Sequence, residues 1–321
     1  MKSLLIIGGS GFFGKSILDF FFRHPYVFDE FSKIIIVSRE AENFKNKFPQ
    51  FVNDKTEFAS IDITSTSDLP YADFIIHAAA TTDSNHYLQY PELSKMNILN
   101  GVKNFVTILK KNYKKFKNSK LIYISSGAVY GKQPSSCRNI TEDQSFNIED
   151  LSPDKKIYAQ AKITSELLLK EVSNEYDLNI LIARCFSFVG PYLPLDLHFA
   201  IGNFIGSALV KNDIVVKSGS NVFRSYMYMD DLVLWLLKLL EFKNQFDIYN
   251  IGSDESIEII NLARLISKHY GCNLKIFPNH KEEPDIYVPS IQKVKNDFGL
   301  NLTFNLEDSI SKTIDLIRSQ N

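Results

Sequence analysis

Hydrophobic and polar positions run through the first half of the chain in two rhythms. Short unbroken apolar runs at 4–7, 33–37, 73–77, 120–124 and 179–183 read as buried strands. Between them, apolar residues recur at helical spacing over 12–23, 91–112 and 156–176. Unbroken runs of that length suit a parallel sheet covered on both faces. Strands alternating with helices predict an α/β fold with a doubly wound, mostly parallel, Rossmann-like sheet. The second half is less regular. Pro191 and Pro194 break the chain, and a helix is expected over 197–211. Short strands at 226–229 and 247–251 flank an apolar helix at 232–240, and helices near 257–270, 290–298 and 306–318 finish the chain. Gly219-Ser220-Asn221 reads as a turn, and no repeat or long linker is visible.

The first apolar run ends in Gly8-Gly9-Ser10-Gly11-Phe12-Phe13-Gly14, with a helix directly behind it. That order is what a dinucleotide pyrophosphate requires. The first glycine allows a tight turn, the second lets backbone N–H groups reach the phosphates, and the third lets helix and strand pack closely. The helix N-terminus adds orphan N–H groups and the positive end of its dipole.

Composition changes this picture little. Of 321 residues, 45% are hydrophobic and 23% charged, with a formal net charge of −1. Such balance gives no electrostatic reason to expect nucleic acid or a membrane surface as partner. Met1-Lys2 before an apolar run resembles a secretory signal, but the run breaks at Gly8, so it reads as the first strand. No stretch reaches the ~20 apolar residues of a membrane span. Cys137, Cys185 and Cys272 lie far apart, with neither metal spacing nor a disulfide framework. That pattern fits a reducing, cytoplasmic compartment and predicts no metal site.

Tyr158 and Lys162 lie four residues apart in a predicted helix, on one face. A neighbouring ammonium favours phenolate, so the tyrosine could exchange a proton near neutral pH. Tyr113 and Lys117 repeat the spacing inside a basic, solvated stretch, which shows how readily it arises by chance. What distinguishes Tyr158 is Ser125-Ser126-Gly127 at the carboxyl end of a buried strand, the edge where open α/β sheets bind ligands. A hydroxyl there could bond a substrate carbonyl oxygen.

The glycine loop, the run Ser-Ser-Gly-Ala-Val-Tyr-Gly at 125–131 and the Tyr158/Lys162 pair together resemble the extended short-chain dehydrogenase/reductase family of nucleotide-sugar epimerases, dehydratases and reductases. The likeness spans nearly the whole chain. It implies a dinucleotide-binding domain from 1–186 and 226–251, and a smaller α+β C-terminal cap for the substrate from 187–225 and 252–321. By this resemblance Ser126, Tyr158 and Lys162 are the catalytic triad. Ser126 polarises the sugar carbonyl, Tyr158 exchanges the proton, and Lys162 bonds the nicotinamide ribose.

The resemblance also distributes the binding residues. Gly8, Ser10, Gly11, Phe12, Phe13 and Gly14 would hold the cofactor phosphates, with Ser38 and Arg39 at the end of the second strand. Asp62 and Ile63 resemble the pair near the adenine, and Ala78, Ala79 and Ala80 the loop that passes the cofactor. Asn97, Cys185 and Ser187 complete that set. The sugar nucleotide would meet Thr81, Ser126, Gly127, Ala128, Ser187 and Asn203, with Arg224 and Lys281 on its diphosphate. A homodimer through the helices at 91–112 and 156–176 is expected, the leucines at 167–169 supplying surplus apolar surface.

Four departures from the family pattern bear on the functional expectation. Dehydratases carry an Asp-Glu pair just after the triad hydroxyl, and the related decarboxylases a Glu. Gly127 and Ala128 stand there and cannot move a proton. NAD-preferring members end the second strand in an acid for the ribose 2′-OH. Ser38-Arg39 instead suits the 2′-phosphate of NADP(H), though NAD with Glu40 on the ribose is the other possibility. Ser187 replaces a usual Asn, and Lys281-Glu282-Glu283-Pro284-Asp285 replaces an Arg-containing segment. The expected activity is NADPH-dependent reduction, at C4, of a dTDP- or CDP-linked 4-keto-6-deoxyhexose for surface polysaccharide such as lipopolysaccharide. The alternatives are an NAD-dependent 4-epimerase and a non-catalytic dinucleotide sensor.

Overall fold

The computed structural model describes residues 2–79, 91–196, 199–218, 220–277 and 280–320. Seven parallel strands form the central sheet. They are β1 (Lys2–Ile7), β2 (Phe31–Ser38), β3 (Thr56–Ser60), β4 (Phe74–His77), β5 (Lys120–Ser126), β6 (Asn179–Cys185) and β11 (Phe246–Ile251). Their order is β11-β6-β5-β4-β1-β2-β3, so the direction of winding reverses between β1 and β4. At that reversal an open α/β sheet leaves a crevice beyond its carboxyl ends.

The strand period of two divides the core. Leu4, Ile6, Ile34, Ile36, Ile76 and Ile122 face one side, where α1 (Phe12–Arg23) and a helix at Met229–Leu239 cover them. Leu5, Ile7, Ile35, Val37, Ile75 and Leu121 face the other, under α4 (Pro91–Lys111) and α6 (Pro153–Tyr176). Most of these side chains are fully buried. The short α2 (Pro25–Phe28), α3 (Ala41–Lys47) and α5 (Tyr113–Phe116) fill the connections.

The C-terminal elements gather above one end of the sheet. β9 (Ser220–Ser225) lies between β12 (Ser256–Glu258), antiparallel to it, and β14 (His280–Tyr287), parallel to it. β13 (Leu274–Ile276) pairs with β8 (Ile214–Val216), and β10 (Met227–Tyr228) with β7 (Phe188–Val189). α7 (Ala200–Leu209), α9 (Ile259–Tyr270) and α11 (Leu306–Gln320) pack around them, α10 (Gln292–Phe298) packs on β11, and α8 is the helix at Met229–Leu239.

Three sequence expectations are corrected here. The expected strand at 226–229 stops at Tyr228, because Met229 already opens α8. The expected helix at 257–270 begins as β12, and Ile259 starts the helix proper. Residues 256–258 are drawn into the sheet by pairing with Phe223, Arg224 and Ser225, a tertiary contact that local periodicity does not carry. The expected turn at 219–221 gives way to a strand, since Ser220 and Asn221 open β9, which pairs with β14, and Gly219 lies outside the described residues.

Candidate functional site

Backbone hydrogen bonds bring three strand ends together. Gly8 and Gly9 N–H donate to Val37 O at 2.8 and 3.1 Å, and Ala78 N–H to Ile7 O at 2.8 Å. Gly8 has φ +84°, in the left-handed region that favours glycine, and a Cβ there would lie 2.6 Å from Ala79 N. A Cβ on Gly14 would lie 2.1 Å from Gly9 O, so only glycine lets α1 start against the loop. Gly11 caps α1, and a Cβ there would meet only Gly8 O, at 3.3 Å. Phe12 and Phe13 turn away and pack on Phe188.

At the end of β2 the Ser38 hydroxyl bonds Ser10 Oγ at 2.7 Å and accepts from Glu40 N–H at 3.3 Å, tying the strand to the loop. Arg39 is exposed beside it. The Asp62 carboxylate accepts from the Thr64 N–H and hydroxyl at 2.9 and 2.8 Å. Those bonds, and then the Arg39 guanidinium, hold it below the usual carboxylate range. Ile63 packs into the second core. Asn104, which sequence reasoning missed, fastens this segment to α4 through Ile63 O and Thr66 O at 3.0 and 2.7 Å. Asn97 is exposed on α4, and Ala80 and Thr81 lie outside the described residues.

β5 and α6 carry the three residues expected to form the triad. Of the two serines at the end of β5, Ser125 is structural. It donates to Glu166 Oε1 at 2.5 Å, and Glu166 pairs with Arg184 at 2.8 Å in a buried ion pair. Ser126 is the half-exposed one. Its Oγ accepts from Ala128 N–H at 3.2 Å and lies 3.5 Å from the Tyr287 hydroxyl. Tyr158 is half-buried on α6 against Ile98 and Ala161. Lys162 is 2% exposed and donates to Ile124 O at 2.8 Å and to Tyr123 Oη at 3.3 Å. Among the described residues its third N–H has no partner.

Tyr287 is the residue the sequence reading missed. It comes from the end of β14, and nothing local in the sequence marks it. Its ring lies 4.7 Å from that of Phe186, and burial pushes its phenol pKa up, so it stays a neutral hydroxyl. Phe186 in turn closes over Gly127, where a Cβ would meet the ring at 2.6 Å. A carboxylate-bearing side chain at 127 would therefore have to displace Phe186. Ala128 follows Gly127 in the same tight turn.

Arg184, in the strand-end segment, serves the core: besides Glu166 it donates to Glu142 O at 3.2 Å and lies over Tyr130 at 4.8 Å. Cys185 is buried, which pushes its thiol pKa up despite Lys162 nearby. Ser187 O accepts from Met227 N–H at 3.0 Å. Asn203 is exposed on α7. Arg224 donates to Phe223 O and Asp285 O at 2.7 and 2.8 Å and pairs with Asp285 Oδ1 at 3.0 Å. Lys281 lies in β14, with its side chain outside the description. His77, at the end of β4, is buried with neither ring nitrogen hydrogen-bonded among the described residues, and burial, then Lys162, pushes its pKa down to about 3. It is neutral at working pH and no general acid.

These residues fit a dinucleotide. The open edge at Gly11, the first turn of α1 and the spare Lys162 donor line one crevice edge where phosphates and a ribose hydroxyl find donors. Among the described residues no cluster of His, Cys, Asp and Glu could hold a metal, and no helix is long and apolar enough to cross a membrane.

Comparison with known proteins agrees with this architecture. Residues 4–252 match the NAD dependent epimerase/dehydratase family. A UDP-glucose 4-epimerase of Mycoplasma genitalium is 26% identical, over 95% of this chain and 93% of that protein. UDP-glucuronic acid decarboxylase 6 of Arabidopsis thaliana is 23% identical, over 96% of this chain and 86% of that protein. Among solved structures, a UDP-glucose 4-epimerase from Thermotoga maritima with UDP-glucose shares the fold, with TM-score 0.80, 19% identity and 99% of each chain covered.

Proposed function

The chain belongs to the NAD dependent epimerase/dehydratase family, and on that premise we propose that it is an NADPH-dependent reductase of a nucleotide-linked 4-keto-6-deoxyhexose, acting at C4. Residues 1–186 and 226–251 hold the dinucleotide in this reading, and 187–225 with 252–321 form the cap over a dTDP- or CDP-linked sugar. The enzyme then works in the cytoplasm, in the supply of sugars for surface polysaccharide.

The dinucleotide supplies hydride when bound. The protein's part is to govern the oxygen at the reacting carbon. Ser126 accepts from Ala128 N–H, and its own proton turns either to Tyr287 Oη or, with substrate bound, to that oxygen. Tyr158 delivers the proton as alkoxide character develops. Lys162 holds the nicotinamide ribose with its spare donor. Gly127 and Ala128 supply no acid, and Phe186 fills the space over Gly127, so neither elimination of water nor loss of a carboxylate is provided for.

Ser38-Arg39 at the end of β2 is the observation that carries the reductase reading. An epimerase regenerates its own NAD, whereas a net reductase draws on NADPH, and a guanidinium with a hydroxyl suits the 2′-phosphate. NADPH should bind at least about tenfold tighter than NADH, or ~1.4 kcal/mol, and Arg39→Ala should remove most of that preference. Equal affinities in titration calorimetry of the intact protein would overturn it. The second reading, an NAD-dependent 4-epimerase, draws support from the Mycoplasma genitalium relative. Incubation with a dTDP-4-keto-6-deoxyhexose separates the two. Stoichiometric NADPH consumption supports the reductase; interconversion of UDP-hexoses without net consumption supports the epimerase.

Two copies are proposed to pair through α4 and α6. Leu93 and Met96 on α4 and Leu167 on α6 are exposed, which supports such an interface. The leucine run supplies less of it than its sequence promises, because Leu169 is in the core and Leu168 packs against it. Light scattering at micromolar concentration should give the dimer mass, and a monomer mass would sink this assembly.

A further inference from the structure

Lys162 is held from behind by a phenol that the mechanism above does not use. We propose that Tyr123 is a positioning residue that aims the Lys162 ammonium at the nicotinamide ribose. The proposal rests on the reading that Lys162 holds that ribose.

The polarity of the contacts carries the argument. An ammonium has three donors and no acceptor. One N–H goes to Ile124 O at 2.8 Å and a second to Tyr123 Oη at 3.3 Å, with Nζ 4.8 Å from the centre of the Tyr123 ring. With two directions fixed, the third is fixed as well, and among the described residues it has no partner. The phenol can only accept from Lys162, which makes it a fixed acceptor behind the ammonium.

Burial supports this. Tyr123 is 1% exposed and Lys162 2% exposed. The buried phenol's pKa is pushed far up, so it stays a neutral acceptor across working pH. Without the hydroxyl, the ammonium would keep one fixed partner and swing on its flexible stem. Ile124 O lies on the same strand as the catalytic serine, so Tyr123 fixes the angle of Lys162 relative to β5.

The test is calorimetric titration of NADPH, and separately of ADP, which lacks the nicotinamide ribose. Tyr123→Phe keeps the ring and its packing. It should weaken NADPH about tenfold, or ~1.4 kcal/mol, and leave ADP unchanged. Lys162→Met should lose at least as much as Tyr123→Phe, and the double variant should be no worse than Lys162→Met alone. Unchanged NADPH affinity in Tyr123→Phe, equal loss of ADP, or additive losses in the double variant would each overturn the proposal. A wild-type protein that binds ADP but no dinucleotide would instead defeat the reading of Lys162, and this inference with it.

Discussion

Tyr158→Phe is expected to lower kcat by about 10²–10⁴-fold while leaving dinucleotide affinity nearly unchanged. The substitution keeps the ring against Ile98 and Ala161 and removes only the transferable proton. Ser126→Ala should cost less, since it removes one polarising hydrogen bond and no proton source. Tyr113→Phe is the internal control. Tyr113 has the same spacing to a lysine, but it opens the four-residue α5 and packs on Tyr176, with no strand-end serine beside it. Steady-state kinetics on the three variants decides the matter. If Tyr113→Phe and Tyr158→Phe behaved alike, the triad assignment would be wrong.

Glu166→Ala should destabilise the fold by about 3–5 kcal/mol, because it strands a buried charge. The side chains of Arg184 and Glu166 are 4% and 6% exposed, and the guanidinium reaches the carboxylate through both Nε and Nη2. Ser125 donates to the same carboxylate. Removing it leaves a buried guanidinium whose remaining partners are Glu142 O and the faces of Tyr130 and Phe146. Replacing both members by apolar residues, as in Glu166→Leu with Arg184→Met, should restore much of the loss, since the desolvation cost disappears with the charges. Urea unfolding measures both, and a loss under about 1 kcal/mol in Glu166→Ala would show that water or another group compensates the arginine.

The parallel-sheet half was legible because its signals are local. An apolar run, glycines at 8, 11 and 14, and a helix follow one another within the first 23 residues. The strands β1, β2, β4, β5 and β6 are unbroken apolar runs, since helices cover both faces. β3 escaped notice. It lies at the sheet edge, and Thr56–Ser60 shows only half-buried and exposed positions, so no run marks it. β9, β12 and β14 escaped for a related reason: short polar segments become strands only by pairing with one another. Tyr287 was lost with β14. Lys162 was found by its spacing to Tyr158, but its partners Ile124 and Tyr123 come from another strand, and spacing says nothing of them. Glu166 looked like one more charge on a helix, and only the fold turns it inward onto Arg184.

The Ser126–Tyr287 pair joins residues 161 positions apart. At ~5–20 residues per second of synthesis, the ribosome makes the serine roughly 8–32 s before the phenol it meets. By Cys185 the glycine loop and the strands that bear Ser126 and the ends of β1, β2 and β4 have all been made. β14 arrives a hundred residues later, carrying Tyr287 and the Asp285 that clasps Arg224. The growing chain thus passes through a stage with its glycine-loop edge built and the β14 residue that faces Ser126 still unmade. Loss of the final segment, by a premature stop or a protease, would remove that residue and spare the glycine loop.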